Sequence, residues 1–339
     1  MKRVRLLVVL SVFLFAGAGL SAAGYQVIRL YRPLQAAVAP DRIVEIPRGT
    51  SVSGAARILY DRGLIPSVLG FKLLARFTQS EGVIRAGEYG ISPGLTSREI
   101  LTLLRKGDVI LHRVTIPEGL RGEEVAVLAA QTLGLSAERM AALIKDPEFI
   151  RSLGVTAPTL EGYLLPETYS FPRKVTEEQV IGKAVHDMLA FIDEEKRKEA
   201  EALGLSLHGL LTLASIIEKE MGDATEAPVI ASVYHNRLKK GMLLQSDPTV
   251  IYGIKDFDGD IRWKDLRTDT PYNTYVRKGL PPTPIANPGR QAILGALHPA
   301  ETNYLFFVSR NNGTHVFSET LAEHNRSVDR FQKKRKSRK

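Results

Sequence analysis

Two glutamates close a long apolar segment in the second half of the chain. The pattern predicts one helix from Leu207 to Glu220, capped by Ser206 and nearly all apolar before Glu218. A spacing of two places the carboxyl groups of Glu218 and Glu220 about 200° apart around a helix. Glu220 shares its face with the bulkier apolar side chains and lies in the last turn, where the helix dipole is negative. Both effects raise the pKa of a carboxyl group, as a general acid requires.

Two further segments group polar and aromatic side chains. Leu160–Tyr169 holds two glutamates and two tyrosines, with a glycine and a proline to fix the backbone. Aromatic rings cover the apolar faces of sugars, and carboxylates accept their hydroxyl protons. In Gln245–Gly253, polar residues interrupt an apolar run. Taken alone, each of the three segments is explained better by a structural role than by a functional one. The glutamates of the helix would be exposed residues at its end, Leu160–Tyr169 a packed loop, and Gln245–Gly253 a capped turn.

A long proline-rich segment follows at Pro271–Gly289. Loops of this length without secondary structure are usually functional. The elements expected around it are short and mixed, which predicts an α+β fold. The first part has a βααβ order, with a strand at Val44–Ile46, a helix capped by Ser51 or Ser53, a helix over 67–77, a strand at 85–89 and another helix from Thr96. This order resembles a LysM-like module that binds glycan strands, and a small spacer domain would give the same pattern. A strand at 109–117 and helices at 121–133, 136–144 and 232–238 are expected next.

The chain begins with an apolar segment behind three basic residues. Leu6–Ala23 contains no charge, and 18 helical residues are just long enough to span a hydrocarbon core. The basic residues before it predict a cytoplasmic N-terminus and an exported body. A cleaved signal peptide is the alternative, because the small residues at 20–23 suit cleavage. Either interpretation places the body outside the cytoplasm.

The net charge of +9 does not indicate a nucleic-acid partner. Three basic residues at the N-terminus and six in the last seven residues account for it, so the remaining chain is balanced with 37 basic and 37 acidic residues. The chain has no cysteine, which excludes disulfides, thiolate metal sites and cysteine nucleophiles. The seven histidines lack the spacing of a metal pair, and no phosphate loop or dinucleotide motif is present. The sequence therefore predicts neither a metal nor an organic cofactor.

Several strings, in this order along the chain, belong to one known pattern. They are Leu160–Tyr169, Ala214–Glu220, Gln245–Gly253, Tyr272–Tyr275, Gly279–Pro282, His298–Ala300 and Tyr304–Val308. Together they resemble the MltG/YceG family of endolytic murein transglycosylases, and the resemblance extends from the N-terminal apolar segment to near Asn325. Because the strings occur together, the functional interpretation of each segment becomes the better one.

The resemblance implies an enzyme of the bacterial inner membrane. It would be single-pass, with a cytoplasmic N-terminus and a periplasmic body. It would cleave nascent glycan strands of peptidoglycan between N-acetylmuramic acid (MurNAc) and N-acetylglucosamine (GlcNAc). The product would carry a 1,6-anhydroMurNAc end, so no water would be consumed and no metal or cofactor is expected. The glycan strands and the inner membrane are the expected partners, with peptidoglycan synthases as further ones.

The resemblance also implies which residues act. In related lysozyme-like enzymes the catalytic glutamate precedes Ser or Thr, which selects Glu220 here, and Glu218 is the alternative. Met221 stands in the place of that hydroxyl residue, so the positioning of the acid is left open. The candidates for the substrate groove are Glu161, Gln245, Ser246, Asp247, Tyr252, Asn273 and Tyr275.

Five regions are expected along the chain. They are a cytoplasmic tail with a transmembrane anchor at 1–24, a linker at 25–42, a LysM-like domain at 43–108, a catalytic domain with a lysozyme-like helix at 109–330, and a basic tail at 331–339. Two rival functions remain. A hydrolytic muramidase would need a positioned water and a second carboxylate such as Glu161 or Asp247. A non-catalytic glycan-binding scaffold would need only the anchor and the LysM-like region.

Overall fold

The structure is a computed structural model that describes residues 25, 28–30, 42–80, 82, 84–92 and 94–333. The expected anchor at Leu6–Ala23 lies outside the described residues. The α+β class is confirmed, since the described chain combines many helices with three small two-stranded sheets. Among the described residues, no single helix is long and apolar enough to cross a membrane. The helices at Glu194–Ala202 and Leu207–Glu220 reach that length and apolarity only when they are taken together, and the chain bends by 80° between them.

The chain forms two compact units. The first contains the described residues up to His112 together with Ser170–Lys174, and the second contains Arg113–Tyr169 with Val175–Lys339. Strands β3 and β4, at Leu111–Thr115 and Thr168–Pro172, pair with each other, and the chain changes unit within both strands.

The first unit is a small sheet covered by helices. Strands β1 (Arg42–Ile46) and β2 (Gly87–Ile91) pair antiparallel, and fully buried Val44 lies opposite fully buried Tyr89. The elements are β1 (Arg42–Ile46), α1 (Val52–Asp61), α2 (Val68–Phe77), β2 (Gly87–Ile91) and α3 (Ser97–Lys106). The predicted strand at 85–89 begins two residues later than expected, because the Arg85 amide donates to Leu104 of α3 instead of pairing with β1.

The second unit is mainly helical. Its helices are α4 (Gly122–Leu133), α5 (Ala137–Leu143), α6 (Pro147–Ser152), α7 (Glu177–Phe191), α8 (Glu194–Ala202), α9 (Leu207–Glu220), α10 (Ala227–Lys239), α11 (Asp247–Gly253), α12 (Arg290–Leu297) and α13 (Leu321–Val328). Strands β5 (Phe306–Ser309) and β6 (His315–Ser318) form an antiparallel hairpin. Short 3₁₀ turns lie at Ala224–Glu226 and Asp265–Arg267, and a π-helical turn at Asp329–Lys333.

Helix α9 lies at the centre of the second unit. It runs over the predicted residues, and the Ser206 hydroxyl accepts a hydrogen bond from the Gly209 amide at its start. Residues 210–217 are all buried, and α9 packs against α10 and α12. A helix that is apolar on every face is stable only inside a core. The glutamates at its end are therefore carried by a rigid, buried element.

One buried asparagine holds the proline-rich loop in place. The Asn287 side-chain oxygen accepts from the amides of Gly162 and Leu164, at 3.0 Å each. Its nitrogen donates to the Leu120 carbonyl at 2.9 Å and to Glu161 Oε1 at 3.3 Å. Because a buried polar group is costly when unpaired, these four bonds fix three segments that have no regular structure of their own.

Candidate active site

Glu220, the last residue of α9, lines a cleft of about 420 Å³ in the second unit. The other walls come from α10, the start of α11, the 271–289 loop, the β5–β6 hairpin and α13. Lining side chains used below are Tyr234, Arg237, Gln245, Asp247, Tyr275, Phe307 and His315. A core helix therefore ends where a groove opens, which places a carboxyl group at the boundary between dry interior and solvent.

The two oxygens of the Glu220 carboxyl group have different surroundings. Oε1 accepts a hydrogen bond from Ser246 Oγ at 2.6 Å and one from the Tyr234 hydroxyl at 3.1 Å. Oε2 accepts no hydrogen bond from the described residues. Since both donors occupy Oε1, a proton on this carboxyl group belongs on Oε2, the oxygen left free for a ligand in the cleft.

The pKa of Glu220 is raised, chiefly because burial disfavours its charged form. The hydrogen bonds from Ser246 and Tyr234 act against this rise, and nearby Asp247 adds to it. Burial also raises the pKa of Tyr234 well above its ordinary value, so its hydroxyl remains a donor. A carboxyl group that keeps its proton near neutral pH can act as a general acid.

Ser246 lies at the N-cap position of α11, yet its side chain does not cap that helix. Its hydroxyl donates to Glu220 instead, and the residue is only 1% exposed. Two buried threonines fix its backbone. Thr274 Oγ1 accepts from the Ser246 amide at 3.0 Å, and Thr249 Oγ1 donates to the Ser246 carbonyl at 2.7 Å. A hydroxyl from a distant helix start thus supplies the contact that Met221, next to the acid, cannot make.

A glycine pair brings the β5–β6 hairpin to the end of α9. A Cβ on Gly222 would lie 2.5 Å from the Gly313 carbonyl oxygen, so only glycine fits this approach. The hairpin carries His315, whose Nδ1 lies 2.8 Å from Glu226 Oε2. Nε2 of His315 bonds to none of the described residues, and the ring lines the cleft. The hairpin therefore adds a further polar side chain to the cleft that holds Glu220.

Glu218, the alternative acid, faces a different neighbour. Its Oε2 accepts a hydrogen bond from the Gly289 amide at 2.9 Å, at the end of the proline-rich loop. Burial raises its pKa, and the nearby Glu118 carboxylate adds to the rise. Glu218 does not line the cleft, so it is placed to hold the loop against α9.

The residues expected in one groove are divided by the structure. Gln245, Asp247 and Tyr275 line the Glu220 cleft, and the Tyr275 hydroxyl donates to Asp247 Oδ1 at 2.6 Å. Ser246 lies behind the acid rather than on the cleft wall. Asn273 is fully buried, and its amide group bonds to the backbone of Asp265, Thr268 and Tyr275. It therefore shapes the loop and does not line the Glu220 cleft.

Glu161 and Tyr252 line a second pocket of about 370 Å³. Glu161 is 5% exposed, and both its oxygens lie within hydrogen-bond distance of the Gly122 amide, at 2.9 and 3.1 Å. The Tyr252 hydroxyl donates to Glu161 Oε2 at 3.4 Å. Burial raises the pKa of Glu161 to about 7, and the hydrogen bonds from Gly122 and Tyr252 oppose that rise.

Several residues of the site were not predicted. Tyr234 and His315 reach Glu220 and its cleft from α10 and β6, and Glu226 pairs with His315 from between α9 and α10. Tyr234 falls inside a helix that the sequence did predict, but nothing in linear spacing directs its hydroxyl to Glu220. Among the described residues, no group of three or more His, Cys, Asp or Glu is placed to hold a metal ion.

A protein-family model and several known proteins match this chain over most of its length. A family model described as the YceG-like family matches residues 44–330. An endolytic murein transglycosylase of Bacillus subtilis is 36% identical over 303 residues, covering 85% of this chain and 84% of that relative. One of Streptococcus pneumoniae is 29% identical over 355 residues, covering 93% of this chain and 64% of that protein. A crystal structure of a YceG-like protein from Listeria monocytogenes superposes with a TM-score of 0.59 at 34% identity, covering 85% of this chain and 98% of that one.

The matched span contains the whole of the site described above. Both cavities, the core helix that ends in Glu220 and the proline-rich loop lie between residues 44 and 330. The resemblance inferred from short strings therefore extends over both compact units. This chain belongs to the YceG-like family.

Proposed function

We propose that this chain is an endolytic murein transglycosylase, which cuts peptidoglycan strands internally between MurNAc and GlcNAc. One observation carries the proposal. Glu220 ends a buried helix with its pKa raised and with one carboxyl oxygen free toward the cleft. The relatives from Bacillus subtilis and Streptococcus pneumoniae are both named endolytic murein transglycosylases, which gives the substrate class.

In the first step, Glu220 acts as general acid. The proton on Oε2 passes to the glycosidic oxygen, and the bond from that oxygen to MurNAc C1 breaks with its electron pair. The acetamido oxygen of the same MurNAc stabilises the positive charge at C1. Ser246 and Tyr234 stabilise the carboxylate that forms, since each donates to Oε1. Hydrogen bonds to a developing charge in a dry site are among the largest catalytic effects.

In the second step, the same carboxylate acts as general base. It takes the proton of the C6 hydroxyl, and O6 forms a bond to C1. The product is a 1,6-anhydroMurNAc end with a free GlcNAc 4-hydroxyl on the other fragment. Glu220 is protonated again and no water is consumed. One carboxyl group is sufficient, in contrast to the paired acids of most glycosidases.

Hydrolysis is the second candidate reaction, and the position of Asp247 is the observation that favours it. Asp247 is exposed in the Glu220 cleft and its position is fixed by the Tyr275 hydroxyl. An inverting glycosidase uses such a second carboxylate to activate water. The two reactions differ only in what attacks C1, so the end group of the product separates them.

The remaining regions complete the proposal. Leu6–Ala23 anchors the protein in the inner membrane with its N-terminus in the cytoplasm and its body in the periplasm, because this stretch is uncharged and follows three basic residues. Residues 43–108 act as a LysM-like glycan-binding domain, supported by the sheet and three helices of the first unit. Residues 109–330 are the catalytic domain. Peptidoglycan synthases are the proposed protein partners.

Strand length tests the endolytic action. We expect the full-length protein in detergent to shorten long, uncrosslinked glycan strands throughout their length distribution before small fragments accumulate. Size-exclusion chromatography of the strands over time measures this directly. Release of small fragments from the strand ends, while the long strands keep their length, would contradict internal cleavage. Tight binding without any cleavage would favour the scaffold function.

A further inference from the structure

The second pocket is distinct from the Glu220 cleft. The two cavities share no lining residue. They are neighbours across helix α11, which presents Asp247 to the cleft from its first residue and Tyr252 to the pocket from its sixth. At 1.5 Å per residue, these positions are about 8 Å apart along the helix axis. The two residues also lie about 140° apart around the helix, so the pocket opens on a different face of α11 from the cleft.

Two tyrosines form one wall of this pocket. The rings of Tyr252 and Tyr272 lie with centroids 4.7 Å apart and planes tilted by 59°. Both hydroxyl groups are occupied, that of Tyr252 with Glu161 and that of Tyr272 with Thr283 at 2.9 Å. The rings are thus held in place and offer their apolar surfaces rather than their hydroxyl groups.

Arg121 supplies the available charge. Its guanidinium group lies 4.9 Å from the centroid of the Tyr252 ring, and it has no ion-pair partner among the described residues. Lys145, the other cation of the pocket, is already paired with Glu123 at 2.6 Å. A guanidinium group stacked on an aromatic ring presents a planar fork that matches a carboxylate.

Arg237, the arginine that lines the Glu220 cleft, is not available to bind a carboxylate. The Arg237 guanidinium donates to the carbonyls of Leu305 at 2.6 Å and Leu244 at 2.7 Å, and it is 7% exposed. It therefore joins the β5–β6 hairpin to the segment before α11. The cleft is suited to the uncharged sugar chain, whereas the second pocket combines a cation that has no ion pair with two tyrosine rings, beside the carboxyl groups of Glu123 and Glu161.

We propose that the second pocket binds the short acidic peptide attached to muramic acid, with Arg121 binding a peptide carboxylate and the tyrosine rings contacting its aliphatic part. The inference rests on the proposed function, since that substrate carries this peptide beside the bond to be cut. The volume of the second pocket, about 370 Å³, lies within the range of about 300–1,000 Å³ usual for small-ligand sites. The free cation favours the peptide over a GlcNAc ring, which offers only hydroxyl and amide groups.

Binding to two defined ligands tests the proposal. The probes are the disaccharide GlcNAc–MurNAc bearing its tetrapeptide and the same disaccharide with its lactyl carboxyl group capped as a methylamide, which carries neither peptide nor carboxylate. Neither contains the bond to be cut, so the full-length protein can be titrated calorimetrically without turnover. We expect the peptide to tighten binding by about tenfold or more, and Arg121→Gln to abolish that difference. Arg121→Lys, which keeps the charge but loses the fork, is expected to retain only part of it.

Arg151→Gln is the matched control, because Arg151 is an exposed arginine on α6 whose Nε donates to the Pro147 carbonyl. It is expected to leave both affinities unchanged, and thermal unfolding checks that every variant is folded. Equal binding of the two probes by the parent protein would overturn the proposal. A peptide effect that persists in Arg121→Gln would also overturn it. Because no cleavage is needed, failure here is separate from failure of the strand-shortening test.

Discussion

Glu220→Gln is expected to lower the rate of strand cleavage by about 10³-fold or more. General acid–base catalysis contributes roughly 10²–10⁴-fold, and here one carboxyl group performs both proton transfers. Glutamine has nearly the same shape, and its side-chain oxygen can accept the hydrogen bonds from Ser246 and Tyr234. It is also uncharged, so it avoids the cost of burying a carboxylate. Initial rates from strand shortening, together with the thermal unfolding midpoint, measure the effect.

Glu218→Gln is the matched control for this variant. Glu218 lies two residues earlier on the same helix, its pKa is also raised, and it accepts the Gly289 amide instead of lining the cleft. Glutamine can accept that bond, so the rate is expected to stay within about tenfold of the parent rate. If Glu218→Gln were inactive and Glu220→Gln active, the assignment of the acid would be reversed.

Ser246→Ala is expected to reduce kcat by about 10–100-fold with little change in KM. The side chain is buried behind Glu220, so its loss leaves the carboxyl group less well aimed without removing a contact to the strand. The pH profile should move as well. Protonated Glu220 is the active form, so activity falls as pH rises through its pKa. The Ser246 hydrogen bond lowers that pKa, and removing the bond raises it. The falling limb is therefore expected at higher pH in the variant.

Two substitutions separate this positioning role from a general loss of packing. Ser246→Thr keeps the hydroxyl group and should restore most of the rate and the original pH limb. Ser232→Ala removes another buried hydroxyl, which bonds to Val229 and Thr302 and not to Glu220. It should alter the unfolding midpoint and leave the pH limb in place. If the falling limb of the pH profile of Ser246→Ala is unchanged or lies at lower pH, Ser246 does not act on Glu220.

The sequence was sufficient for the elements that depend on local patterns. Helix α9 follows from one apolar run behind a serine cap, and the caps Ser51, Ser67 and Thr96 precede helices near the expected positions. Each of these signals lies within a few residues of the element that it starts. The order of small strands and helices gave the α+β class for the same reason.

The arrangement of the site depended on contacts that local patterns do not contain. Ser246 has the sequence of an ordinary N-cap, and only the packing of α11 against α9 directs its hydroxyl to Glu220. Asp247 and Tyr252 belong to one recognised string, yet they lie on different cavities because the string folds into a helix. Asn273 is polar and close to Tyr275 in sequence, but its side chain is turned inward to its own loop.

The end group of the product distinguishes transglycosylation from hydrolysis. Purified uncrosslinked strands would be incubated with the full-length protein and with Glu220→Gln, and the new ends would be identified by mass spectrometry. We expect 1,6-anhydroMurNAc ends with the parent protein, which are lighter by one water than reducing MurNAc ends, and almost none with the variant. Reducing MurNAc ends as the main product would show that water attacks C1, and the chain would then be a hydrolase rather than a transglycosylase.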